Sequence, residues 1–411
     1  MNGVNAADTS FVIFATALVM LMTPGLALFY GGMVRRKNVL STTMHSYAAM
    51  VVVSLQWVLI GYTLCFGKDF AGFLGNFQFL GLQGVGFLPN ANYAATIPQS
   101  AFMLFQLMFA IITPALISGA IAERMKFISF VIFILLWSTL VYDPIAHWVW
   151  GYGGWLRNLG ALDFAGGNVV HISSGVSALV AALVIGKRKK LKTITPHNLP
   201  MTLLGAALLW FGWFGFNAGS ALAVNGVALN AFITTNTSAA ASALAWGICE
   251  LVVRKKVTSL GIASGLVVGL VAITPGAGFV SPMSSVLIGG FGGMLCYFFV
   301  TVVKQKVDYD DALDAFGCHG IGGIWGGIAT GIFASKAINS AGANGLIYGN
   351  IKLVGIQLIA IGATIAYSAI MTFIILKVIS KFANLRVTDE EESDGLDVSL
   401  HGEEAYGSPN I

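Results

Sequence analysis

Residues 162–172 read LDFAGGNVVHI, and residues 311–320 read DALDAFGCHG. In each stretch an aspartate precedes a histidine by eight positions, Asp163 before His171 and Asp311 before His319, and each pair leads into an apolar run. These runs are the fifth and the tenth of eleven candidates along the chain, at 10–33, 41–66, 98–121, 127–148, 168–186, 200–222, 229–253, 259–277, 281–303, 317–334 and 350–380. About 20 apolar residues are needed for a helix to cross roughly 30 Å of hydrocarbon. The ten-residue alternation of a membrane barrel is absent. The expectation is therefore an all-α integral membrane protein with eleven transmembrane helices.

Lysine and arginine orient them. Arg35-Arg36-Lys37, Arg124/Lys126, Lys187-Arg188-Lys189-Lys190/Lys192, Arg254-Lys255-Lys256 and Lys304/Lys306 follow the odd-numbered runs, and Lys377, Lys381 and Arg386 end the last. Eighteen of the 22 basic residues thus share one side, which the positive-inside rule makes cytoplasmic. Lys68, Arg157, Lys336 and Lys352 are left on the other. The N-terminus is then outside, the C-terminus inside, and the fifth and tenth helices run in opposite directions. Matching motifs on oppositely directed helices five apart indicate a five-plus-five inverted repeat with an extra C-terminal helix. Phe29-Tyr-Gly-Gly in the first run against Phe216-Asn-Ala-Gly in the sixth is a second, weaker match.

Composition agrees. Of 411 residues, 56% are hydrophobic and 10% charged, and the mean hydropathy is +0.81. Soluble domains carry about 25% charge, so this chain lacks the polar residues to cover a water-facing globule. A net charge of +4 disfavours nucleic-acid binding. Cys65, Cys249, Cys296 and Cys318 lie in or beside apolar runs without paired spacing, which disfavours a disulfide scaffold. Met1 to Ser10 has no basic leader region, so a cleaved signal peptide is not expected. The chain divides into a short extracellular N-terminus (1–9), an eleven-helix transporter domain (10–382) and a cytoplasmic tail (383–411). Asp389-Glu390-Glu391-Glu392 makes that tail acidic, and its composition alone favours disorder.

Intramembrane ionisable residues are costly and tend to line pathways, which singles out His171 and His319. Inverted repeats place their site near the midplane between the halves, where these two histidines would meet. Two histidines with no carboxylate or thiolate at ligand spacing make a poor metal site, and Cys318 diverges from His319 on a helix. No HExxH is present and no Ser–His pairing stands out, so no enzyme constellation is expected. A pathway for a small polar molecule remains. Phe105 and Phe109 lie four apart on one helical face, His147-Trp-Val-Trp150 ends the fourth run, and the sixth holds Trp213-Phe-Gly-Phe216-Asn217-Ala-Gly-Ser220. Singly these read as lipid-facing phenylalanines and interfacial tryptophans. Together with Ser220 they make a candidate cage for a small cation through cation–π contact.

Thr23-PGLALFYGG-Met33, Ala122-ER-Met125, LDFAGGNVVHI, TPHNLP, GWFGFNAGS, DDALDAFGCHG and the tail GLDVSLHGEEAY closely resemble the ammonium transporter family of bacteria and archaea, and more distantly the Rh glycoproteins. The resemblance covers nearly the whole chain. It implies an eleven-helix inverted repeat assembled as a homotrimer, with one pore per subunit. By resemblance, Phe109, Trp150 and Ser220 form an external ammonium-recruitment site, and Phe109 and Phe216 a stacked phenyl gate beneath it. His171 and His319 are the twin pore histidines, and Asp163 is a buried carboxylate supporting the site without touching the ligand. Phe105, Trp213, Asn217 and Thr274 are further pore or vestibule matches. The implied partners are ammonium or ammonia, with methylammonium as a related substrate, the bilayer of the cell membrane, and a PII-type signalling protein at the regulatory tail, whose Gly395–Tyr406 segment the resemblance folds against the cytoplasmic face in place of the disorder that composition favours. No cofactor is implied. The alternatives are an ammonium sensor and an electroneutral Rh-like gas channel; Trp150 and Ser220 argue against the latter.

Overall fold

The computed structural model describes residues 3–189 and 195–407. Lys190 and Lys192 of the basic cluster after the fifth apolar run, and the ends of both terminal segments, lie outside them. The long helices are α1 (Ala6–Met33), α2 (39–66), α3 (Gln99–Ile121), α4 (127–150), α5 (Gly167–Ile185), α6 (Leu199–Gly219), α7 (Gly226–Arg254), α8 (Ser259–Ile273), α9 (Pro282–Val307), α10 (316–333) and α11 (Ile351–Ile379). Eight of them, all but α7, α8 and α10, are individually long and apolar enough to cross a membrane among the described residues. The three exceptions have plain causes. α7 carries Asn230, Asn236 and a run of threonines and serines, α8 has 15 residues, and α10 is rich in glycine.

Capping side chains set boundaries that hydropathy misses. Asn5 accepts from the backbone N–H of Ala7 and Asp8, so α1 starts at Ala6 rather than near residue 10. Asn225 caps α7 through Ala228 and moves its start ahead of 229. Pro275 and the turn at Gly276 end α8 at Ile273, short of the expected 277. Between α2 and α3, on the face opposite the basic loops, are two small hairpins that the apolar runs did not reveal. β1 (Asp69–Phe70) pairs antiparallel with β2 (Leu74–Gly75), and β3 (Pro89–Asn90) with β4 (Ala94–Pro98).

α1 packs along α6, α7 lies against α8 and α9, and α11 covers α4, α5 and α10. α5 crosses α10 where both are wound into wide turns, Gly167–Ile172 and Phe316–Gly320. Such π-turns mark functional places in helices, and each of these carries a histidine. The crossing is close: a Cβ on Gly175 would stand 2.2 Å from the Gly320 nitrogen and 2.4 Å from its Cα. Backbone atoms cannot step aside for it, so Gly175→Ala is expected to push the two helices apart and to destabilise the protein by about 2 kcal/mol or more. A thermal-unfolding scan in detergent checks this, and an unchanged midpoint would refute the close crossing.

The tail is ordered, against the disorder its composition favours. Ions and backbone bonds tie it to the face formed by the basic loops. Val387 and Lys126 extend a short bridge through the bonds Val387 N to Arg124 O and Lys126 N to Leu385 O. Arg386 pairs with Glu392 at 2.7 Å and donates to the Ile185 carbonyl. Asp397 accepts the Ser41 N–H at 2.8 Å at the start of α2, while Leu396 N–H donates to Asn38 Oδ1. Beneath them Glu123 takes Arg35, Arg188 and Asn38 together, and Arg188 also grips Asp310. Burial pushes the Asp310 carboxyl up, but Arg188 and Arg124 more than offset that and hold it at about 2. The acidic tail residues are thus partners of basic groups, Glu392 of Arg386, Asp389 of Lys189 and Glu391 of Lys126, which composition cannot show.

Candidate functional site

Asp163 and Asp311 organise the two wide turns in the same way. The Asp163 carboxylate accepts backbone N–H groups from Gly166 (2.8 Å), Gly167 (2.6 Å), Asn168 (2.7 Å) and Val169 (3.3 Å). These are the first donors of α5, which would otherwise be orphaned in a buried place. Burial raises the Asp163 carboxyl above its ordinary value, against the pull of those four donors. At the opposite end of the molecule Asp311 accepts the N–H groups of Ala315 (3.0 Å) and Phe316 (2.7 Å), the start of α10. One carboxylate therefore caps each histidine-bearing turn, five helices apart, and the spacing repeat has a structural meaning. Gly166, at φ 118°, makes the bend that aims the α5 donors at Asp163.

Three cavities follow one another through the molecule. The first, on the face away from the basic loops, has a volume of about 190 Å³ and is lined by Phe109, Trp150, Ser220, Gln106, Phe164 and Arg157 among others. Trp150 is fixed by its indole N–H, which donates to the Asp163 carbonyl at 2.9 Å. Its ring meets that of Phe109 edge-on, with centroids 5.7 Å apart at 85°. The Ser220 hydroxyl donates to the Phe216 carbonyl at 2.8 Å, which leaves its oxygen lone pairs to accept. The buried rings of Phe109 and Phe216 close the floor of this cavity, 4.3 Å between centroids and tilted by 34°. Phe105 packs against Phe109 from the side at 5.0 Å.

Below the phenyl pair is a narrow apolar lumen of about 10 Å³, walled by Phe216, Val170, Trp213, Leu116, His171 and His319. The two histidines approach with Nδ1 to Nδ1 at 3.3 Å and ring centroids 5.4 Å apart. One Nδ1 must carry the proton and the other accept it, so the pair holds at most one positive charge. Trp213 stacks on His171 at 5.4 Å and is itself held by Thr274, whose hydroxyl accepts the indole N–H at 2.9 Å. His171 Nε2 is buried and has no protein partner among the described residues. The third cavity, about 50 Å³, opens toward the basic face beside His319, Tyr30, Trp246, Ser264, Asp314 and Cys318.

Phe109, Trp150, Ser220, Phe216, His171, His319 and Trp213 are thus brought into one line, with Asp163 and Phe105 just behind it. Asn217 and Thr274 do not lie on these cavity walls. Asn217 donates to Thr235 at 2.8 Å, and Thr274 supports Trp213. Sequence reasoning missed Gln106 and Arg157. Gln106 precedes Phe109 by three residues on the same helical face, a spacing that was available to find it. Arg157 was visible only as one of four basic residues outside the main clusters.

The sequence model of the Ammonium Transporter Family matches residues 10–406. The chain is 59% identical over 399 residues to an ammonium transporter of Bacillus subtilis, covering 97% of this chain and 98% of that protein. It is 47% identical to ammonium transporter Amt1 of Archaeoglobus fulgidus, covering 97% and 99%. The fold superposes on Mep2 of Saccharomyces cerevisiae with a TM-score of 0.91 at 36% identity, over 100% of this chain and 93% of that one. It also superposes on a solved structure described as a sensor Amt protein, with a TM-score of 0.87 at 30% identity, over 96% and 98%. These likenesses are to transporters and not to enzymes, and with a match along nearly its full length this chain belongs to the Ammonium Transporter Family.

Proposed function

We propose that the protein carries ammonium across the cell membrane by capturing the cation in the outer aromatic cavity, separating its proton near the phenyl pair, and passing ammonia along the two histidines. The observation that carries this reading is the unbroken sequence of Trp150, Phe109, Phe216, His171 and His319 between the two wider cavities.

The energetics favour moving the neutral molecule. Taking a bare ion into a medium of ε ≈ 4 costs on the order of 20 kcal/mol. Deprotonating an amine with a lysine-like pKa at pH 7 costs about 4–5 kcal/mol at about 1.36 per unit. Cation–π contacts of about 0.5–2 kcal/mol each, from Trp150 and Phe109, offset part of the dehydration at the entrance. The Ser220 oxygen accepts an ammonium N–H, which potassium does not have. In the lumen, imidazoles accept or donate to ammonia without a fixed charge that would trap a cation.

The basic face is the cytoplasmic one by the positive-inside rule, which puts the aromatic cavity outside. On the basic face the docked tail, with Asp397 at the start of α2, offers a regulatory surface for a PII-type protein. Exposed apolar side chains along α1 and α2, such as Phe14, Val51, Leu55 and Leu59, suit lipid and the subunit contacts of a homotrimer. Eleven spanning segments in two inverted halves account for the opposite placement of the Asp163 and Asp311 turns. A sensor role is the second reading, favoured by the likeness to the sensor Amt protein.

Ammonium-evoked current on purified protein in a supported bilayer tests transport directly. Trp150→Leu removes one cation–π contact and is expected to raise half-saturating ammonium by about 2–30-fold. A saturable current establishes that charge crosses. No current beside ammonia-driven pH changes in liposomes means electroneutral conduction. Silence in both assays overturns the transporter reading in favour of the sensor.

A further inference from the structure

The wall of the outer cavity carries an arginine, at the entrance of what is read above as a cation site. Arg157 sits on the short helical turn Trp155–Leu159 and is solvent-exposed. Its Nη1 donates to the Trp150 carbonyl at 2.7 Å and its Nη2 reaches the Asn92 carbonyl at 3.5 Å. Its guanidinium carbon lies 5.7 Å from the centre of the Tyr152 ring. All three partners are neutral, and among the described residues Arg157 forms no ion pair with a carboxylate. Asp163, behind the cavity wall, is buried and committed to four backbone N–H groups, and Asp69, which acts on Tyr93 together with Arg157, is engaged by His147 at 2.9 Å. The other polar groups on the cavity wall, Ser220, Gln106, Asn92 and Tyr93, are uncharged.

From this placement we infer that Arg157 is an affinity-setting residue: its uncompensated positive charge at the mouth repels the incoming cation and loosens ammonium capture in the outer cavity. Guanidinium stays protonated throughout the physiological range, so the repulsion is permanent. It is graded by salt, because an exposed charge is felt over about 30 Å at 0.01 M ionic strength but about 8 Å at 0.15 M. A loose entrance favours turnover, since a cation held too tightly at the mouth has further to climb before its proton leaves. The same contacts also admit a purely mechanical role, in which Arg157 props the Trp150 backbone. The two roles predict opposite signs when the charge is removed.

The inference rests on the capture-site reading, and its test separates the two. Ammonium uptake is measured in liposomes of zwitterionic lipid for the parent, Arg157→Gln, Arg157→Lys and Trp150→Leu, at about 0.01 M and about 0.15 M salt. Arg157→Gln is expected to lower half-saturating ammonium about threefold at low salt, a gap that narrows at high salt, and Arg157→Lys to restore the parental value. An Arg157→Gln protein with unchanged or raised half-saturation at both salts overturns the inference; a raised value assigns Arg157 to propping Trp150. A weakened Trp150→Leu beside a silent Arg157→Gln overturns the charge and keeps the cage. The salt-graded Arg157 effect beside a silent Trp150→Leu overturns the cage and keeps the charge.

Discussion

Alanine in place of both His171 and His319 is expected to abolish selective transport: either ammonium flux falls to about a tenth of the parental value or less, or potassium follows ammonium through the lumen. The double change removes the Nδ1–Nδ1 contact of 3.3 Å and both side chains able to hydrogen-bond along a wall otherwise made of Phe216, Val170, Trp213 and Leu116. A hydrogen bond contributes about 1 kcal/mol net in a folded protein, and leaving a polar partner unpaired in a buried place costs about 1–3 kcal/mol. An ammonia molecule in that lumen would lose both imidazole partners at once, a penalty equivalent to about tenfold or more in rate. The alternative outcome has the same origin, because two alanines also open volume that water and a hydrated ion can enter. Flux assays with ammonium and potassium in the same liposomes decide it. Unchanged ammonium flux with continued potassium exclusion would show that the histidines are only glue between α5 and α10.

Asp163→Ala is expected to be the most damaging single change. Its carboxylate satisfies four consecutive N–H groups of buried residues at the start of α5. At about 1–3 kcal/mol per abandoned donor, the loss approaches the whole margin of about 5–15 kcal/mol by which proteins are stable. The Asp163 backbone carbonyl also holds the Trp150 indole, so a relaxed turn carries that wall of the outer cavity with it. Little folded protein and no transport are expected from the alanine variant. Asp163→Asn keeps an oxygen for part of the turn but removes the charge, and is expected to fold while binding ammonium at least about tenfold more weakly. Size-exclusion profiles and uptake assays on both variants check this. Parental stability and flux in Asp163→Ala would remove Asp163 from the site altogether.

Much of the architecture was legible because a bilayer imposes strong one-dimensional rules. Apolar run lengths located the helices to within a few residues, and the side on which Lys and Arg fall ordered the loops. The eight-residue spacing from Asp163 to His171 and from Asp311 to His319 pointed at the narrow lumen the two histidines line, since few ionisable residues are tolerated in a membrane span and each needs a reason. Even α7, α8 and α10, whose polar or glycine-rich faces lower their mean hydropathy, were located, at 229–253, 259–277 and 317–334 against 226–254, 259–273 and 316–333. Helix starts were off wherever a cap such as Asn5 or Asn225 decided them, because capping is a single side-chain contact with no periodic signal.

Other features depended on contacts between residues far apart in the chain. The acidic tail reads as a solvated stretch until Glu392 is seen on Arg386 and Asp397 at the start of α2. The meaning of the two aspartates, as caps for the wide turns that carry the histidines, required the backbone path of both turns. Arg157 became notable only when the fold brought it beside Trp150, over the cavity. The sequence by itself determined which segments enter the membrane and which rare polar residues must be explained there, because the cost of burying charge in hydrocarbon acts residue by residue. Only the tertiary structure decided which of those residues face one another, because a 3.3 Å contact between His171 and His319 depends on α5 and α10 crossing at Gly175 and Gly320, and no local property of either helix encodes that distance.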